Sequence, residues 1–120
     1  MEKKKRIGLA TDVLPGSVVT VTVDRPLGSR HPRYPDMTYP INYGYIKGVI
    51  APDGEEQDAY ILGIGEPITE LTGRVIAVIR RKNDAEDKLV VAPEGILFTK
   101  EEIKALTWFQ ERYFDSEIEI

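Results

Sequence analysis

The chain has 120 residues, 42% of them apolar, enough to bury one hydrophobic core and too few to suggest two. A formal net charge of −4 and a pI near 5.1 give no general pull toward nucleic acid or anionic lipid, so any anion-binding site must be local. The absence of cysteine excludes disulfides and thiolate metal ligands, and no apolar run approaches the ~18 residues of a membrane-spanning helix.

The basic start, Met1 to Arg6, is followed by only Ile7 to Ala10 before Thr11 and Asp12. That is short of the ~7–15 apolar residues of a secretory signal, so a cytoplasmic protein is expected. Residues 1–16 read as a flexible lead-in to a single domain over 1–120. In 17–24, Val19, Val21 and Val23 alternate with Thr20 and Thr22, which predicts a first strand. Pro26, Gly28, Pro32 and Pro35 make 25–39 a loop. A second strand is expected over 39–50, then a turn at Pro52-Asp53-Gly54. The third, 57–62, carries Asp58, Tyr60 and Leu62 on one face. The β-rich runs 73–81 and 88–92 supply the fourth and fifth strands across a polar connector of hairpin length. Thr99-Lys100-Glu101-Glu102 is a capping-box pattern, and Ile103, Leu106, Phe109 and Tyr113 recur at helical spacing, predicting a helix over 100–115. Five short strands and one amphipathic helix predict a mainly β (α+β) fold: an OB-like five-stranded β-barrel with a C-terminal α-helix covering an open end.

The segment Asp53-Gly54-Glu55-Glu56-Gln57-Asp58 sets carboxylates around a tight glycine turn. Mg²⁺ takes such oxygen ligands and keeps several waters, so one or two carboxylates and a phosphate suffice to hold it. Taken alone, an acidic run is more often a solvated turn. An EF-hand is excluded, because its sixth and twelfth positions would be Asp58 and Ile64 instead of Gly and Glu. His31, the sole histidine, cannot build a His-based metal site, and Gly63-Ile64-Gly65 is too short for a dinucleotide fingerprint.

Tyr39-Pro40-Ile41-Asn42-Tyr43-Gly44-Tyr45-Ile46, with the acidic segment following at the matching distance, resembles the family I soluble inorganic pyrophosphatases. In that family a Tyr-Pro-x-Asn-Tyr-Gly-Tyr-Ile strand precedes an Asp-x-Asp-Pro-x-Asp signature. The likeness extends upstream through Asp24-Arg25-Pro26-Leu27-Gly28-Ser29 and Arg33-Tyr34. Downstream it takes in Glu86-Asp87-Lys88-Leu89 and the helix run Phe109 to Tyr113. It implies Mg²⁺-dependent hydrolysis of pyrophosphate to orthophosphate, with Asp53, Asp58 and Glu86 binding metal. Glu55 and Asp58 would be the catalytic carboxylates, Glu55 activating the water, and Arg33, Tyr43, Lys88 and Tyr113 would bind substrate. A homo-oligomer is expected, with no nucleic-acid partner.

The chain departs from the family pattern at several of these places. Glu55 and Glu56 stand where the family has Asp and Pro, the hairpin at 35–38 is cut short, and Phe114 replaces a Lys. Arg81 falls where a further metal-binding Asp is expected, with Asp84 nearby. Loss of two phosphate-binding cations implies reduced efficiency, which Phe114→Lys should partly restore. Two alternatives are a non-catalytic Mg²⁺- and phosphate-binding module of the same fold and a phosphoanhydride hydrolase with another substrate. A nucleic-acid-binding OB barrel needs a basic groove that the acidic balance disfavours.

Overall fold

In the computed structural model, which describes residues 8–9, 15–82 and 86–120, the alternating runs pair as strands. The order is β1 (Gly8–Leu9), β2 (Val18–Arg25), β3 (Asn42–Ile50), β4 (Glu56–Ile61), β5 (Glu70–Arg81), β6 (Lys88–Ala92), α1 (Lys100–Glu111) and β7 (Ser116–Glu119). Strands β3, β2, β5, β6 and β4 pair in that order, and β4 returns to β3, which closes the five-stranded barrel expected from the sequence. Only β4 and β6 run parallel within it. The 12-residue β5 serves three partners along its length: β2 at its start, β6 beyond, and β7 at its end. Strands β1 and β7 were not anticipated, since two and four residues are too few to display a period.

The two faces of the barrel wall bury different clusters. All five barrel strands contribute to one, including Val21, Ile46, Ile61, Val75 and Val91, and this is the barrel interior. The opposite face gathers Tyr39, Tyr43, Tyr60, Leu62, Ile79 and Val90 with Ile103 and Phe109. The helix therefore packs on the outer wall, which corrects the expectation that it covers an open end. An aromatic outer face cannot be left in water, and a helix whose buried stripe is only Ile103, Thr107 and Glu111 fits a flat wall.

Thr99 caps the helix as its sequence predicts. Glu102 N–H donates to Thr99 Oγ1 at 3.1 Å, and Thr99 N–H donates to Glu102 Oε1 at 2.8 Å. The helix ends at Glu111, short of the expected residue 115, because the chain turns there to feed β7 along β5.

Candidate active site

Strand alternation decides which side chains meet. In β2, Val19, Val21 and Val23 point inward, so Asp24 points out. Tyr43 opposes Tyr60 and Tyr45 opposes Asp58 across β3 and β4, while Lys88 opposes Ile79 across β6 and β5. Asp24, Tyr43, Asp58, Arg81 and Lys88 thus share the outer wall, beside the C-terminal half of the helix. They line a cavity of about 910 Å³, completed by His31, Tyr34, Asp36, Met37 and Thr38 of the short hairpin and by Phe109, Gln110, Arg112, Tyr113 and Phe114.

An ordered ionic network forms the cavity floor. Lys88, its side chain only 4% exposed, donates from Nζ to Asp58 Oδ2 at 2.7 Å and to Glu86 Oε1 at 3.1 Å. Tyr43 donates its hydroxyl to the same Asp58 Oδ2 at 2.8 Å. Deeper, Arg81 forks onto Glu111, Nε to Oε1 at 3.2 Å and NH2 to Oε2 at 2.7 Å, and its NH1 reaches Glu86 Oε1 at 3.3 Å. Tyr60 also donates to Glu111 Oε2, at 2.6 Å, and Gln110 Nε2 donates to the Tyr60 hydroxyl at 2.8 Å. Phe114 lies flat against the cation, its ring centroid 3.6 Å from Arg81 Cζ.

Burial, then the charge of Asp58, raises Tyr43 well above the ordinary phenol value, so it stays a hydrogen-bond donor at neutral pH. Burial and then Glu111 do the same to Tyr60. For Arg81, burial opposes the charge, but the hydrogen bonds and charge of Glu111 outweigh it and hold the guanidinium above its usual value. Asp24 sits at the cavity rim, where partial desolvation raises its carboxyl; Arg25 works against this and the Asp58 charge adds to it.

Of the residues singled out from the sequence, the cavity brings together Tyr43, Asp58, Glu86, Lys88 and Tyr113. Asp53 and Glu55 are exposed on the β3–β4 turn, where Glu55 N–H bonds Asp53 Oδ1 at 3.0 Å, and neither lines the cavity. Arg33 is exposed on the hairpin and also stands outside the lining. Asp84 lies outside the described residues. Among the described residues no group of three or more Asp, Glu or His is gathered so as to hold a metal ion.

Sequence reasoning missed Arg25, Arg112, Gln110 and Glu111, and it met Arg81 only as a departure from the family pattern. Glu111 carried a readable signal: it stands four residues past Thr107 and eight past Ile103, a charge on the buried stripe of the helix. Arg25, Arg81, Lys88 and Arg112 give the cavity four cations, three of them at positions that the sequence did not single out for phosphate.

A family model for inorganic pyrophosphatase matches residues 10–116. The chain belongs to the inorganic pyrophosphatase family. An inorganic pyrophosphatase of Gluconobacter oxydans is 28% identical, over 92% of this chain and 75% of that protein. Among solved structures, an inorganic pyrophosphatase of Ehrlichia chaffeensis superposes with a TM-score of 0.65 at 16% identity, covering 96% of this chain and 90% of that one. One from Neisseria gonorrhoeae gives 0.62 at 22% identity, covering 84% and 78%. At these identities the structures establish a shared fold.

Inorganic pyrophosphatases use divalent metal ions generally, and such hard cations take carboxylate oxygens. Asp24 and Asp58 face one cavity, where partial burial and, to a lesser degree, the charge of Asp58 make Asp24 harder to ionise, a cost that a hard cation beside them would lessen. Both donors to Asp58 converge on Oδ2. Glu86, by contrast, already sits between two cations.

Proposed function

We propose that this pyrophosphatase-family chain hydrolyses inorganic pyrophosphate to two orthophosphates with Mg²⁺ as its divalent ion, in the cavity beside the helix. The observation that carries this reading is the convergence of Lys88, Arg81 and Arg112 with Asp58 and Asp24 in one cavity. A polyanion meets fixed cations there, and carboxylates stand ready for a hard metal.

Asp58 and Asp24 would hold the ion, which when bound supplies a water of lowered pKa at neutral pH. Lys88 is held between Asp58 and Glu86, so its ammonium is oriented before substrate arrives. Tyr43 keeps its proton and offers it to a phosphate oxygen or to Asp58. Arg112 NH2 donates to the Tyr113 hydroxyl at 2.9 Å, which leaves the tyrosine proton to be given to phosphate. Charge on both phosphates is thereby met by donors already in place, and no covalent enzyme intermediate is needed. Asp53, Glu55 and Arg33, outside the cavity lining, would contribute less to the reaction than the residues inside it.

Orthophosphate release from pyrophosphate, tripolyphosphate and nucleoside triphosphates, with Mg²⁺ and with EDTA, tests this. Mg²⁺-dependent release, fastest from pyrophosphate, is expected. Binding of pyrophosphate without release would identify a non-catalytic module, and faster release from another phosphoanhydride would reassign the substrate.

A further inference from the structure

Arg81 is a firmly held charge to which the sequence assigned no role. Its side chain is 3% exposed, yet it lines the cavity. Two of its nitrogens are bound by Glu111, one face of the guanidinium is covered by Phe114, and NH1 is turned to Glu86. Glu86, with its side chain 35% exposed at the cavity wall, is thus met by Arg81 and Lys88 together. Two fixed cations already donate to this carboxylate, and a divalent ion brought to it would meet like charge from both. A planar guanidinium held by an acidic partner behind it is also suited to phosphate oxygens, because little side-chain freedom is lost on binding.

We infer that Arg81 is a substrate-binding residue, a resident guanidinium that takes the place of a divalent ion at Glu86. The diphosphate is then held by Arg81 and Lys88 on one side and by metal at Asp24 and Asp58 on the other. This rests on the pyrophosphatase reading above for its ligand class. It goes further in assigning Glu86 to an ion-pair network, and in predicting that part of the diphosphate affinity needs no metal at all.

Calorimetry on the full chain tests it, with two probes: methylenediphosphonate, a diphosphate that cannot be hydrolysed, titrated in EDTA, and Mg²⁺ titrated alone. Glu86→Gln alters a partly exposed side chain and should leave the fold intact. It is expected to leave Mg²⁺ affinity within about twofold and to tighten diphosphonate binding about threefold or more, since the anion that competes for Arg81 and Lys88 becomes a neutral amide. The buried pair is tested by comparing Glu111→Gln with Arg81→Gln/Glu111→Gln, in which no unpaired buried charge is left. The double variant should bind diphosphonate about tenfold more weakly than Glu111→Gln.

Loss of a Mg²⁺ site in Glu86→Gln would overturn the inference, as would equal diphosphonate affinity in a folded double variant and its Glu111→Gln control. Should the double variant not fold, the two Glu86→Gln readings decide. If the wild-type chain binds diphosphonate in EDTA but releases no phosphate from pyrophosphate, the hydrolytic reading fails while the role of Arg81 stands. If it binds none, the role of Arg81 fails with it.

Discussion

Asp58 accepts two donors on a single oxygen while its neighbour Glu86 shares the same lysine, so changes at the two carboxylates should differ in kind. Asp58→Asn takes away the closer partner of a buried ammonium and one of the two carboxylates proposed to hold metal. Hydrolysis should fall about a hundredfold or more, with retained circular dichroism, and steady-state phosphate release checks it. Asp53→Asn, on an exposed turn outside the cavity, should cost less than about threefold in the same assay. The two carboxylates belong to one sequence segment and could not be ranked without the fold. Phe114 is a second instance. From the sequence, Phe114→Lys restores a missing cation, but its ring lies on Arg81 and an ammonium there would face a guanidinium. The expected outcome is accordingly a loss: about threefold or more in kcat/KM for pyrophosphate, with a lower urea midpoint.

At the scale of elements, local signals were sufficient wherever one residue pattern sets one structure. The capping box at Thr99 and Glu102 has both of its hydrogen bonds, so Thr99→Ala should cost about 1 kcal/mol in urea melts with unchanged kcat. An unshifted midpoint would show that the cap contributes nothing. Gly44 has a different reason for its identity: a Cβ there would run into the backbone carbonyl of Thr22 on the paired strand. Gly44→Ala should therefore destabilise by about 3 kcal/mol or more, because β2 and β3 have to separate to admit a methyl group, and the chemical-denaturation midpoint is the check. The valine alternation gave β2 to within a residue. The early end of the helix and the existence of β7 depended on pairing with β5, which no local pattern records.

For the whole molecule, one pH-dependent contribution to stability comes from the hairpin that walls the cavity. His31 Nδ1 accepts backbone N–H groups from Arg33 at 3.0 Å and Tyr34 at 3.3 Å, while its ring stacks on Tyr39. Desolvation, then Arg25 and Arg33, lowers its pKa below 6.5. The unfolded chain consequently binds the proton more readily than the folded one. The stability contributed is full above 6.5 and is lost as pH falls through the lower folded value. Urea midpoints should therefore drop between about pH 7 and about pH 5, and His31→Gln should flatten that slope. Composition, strand period and the capping box were enough to determine a small OB-like barrel with one helix. The Tyr39-to-Asp58 motif was enough to indicate the pyrophosphatase family. These are properties of neighbouring residues, and the backbone converts them directly into which face a side chain takes. Only the closed barrel decided that Asp24, Tyr43, Asp58, Arg81 and Lys88 face one cavity with the helix end, and that Asp53 and Glu55 stay outside it. Their grouping depends on the register between strands far apart in sequence. The charge that each then carries depends on which buried partner that register brings within hydrogen-bond reach.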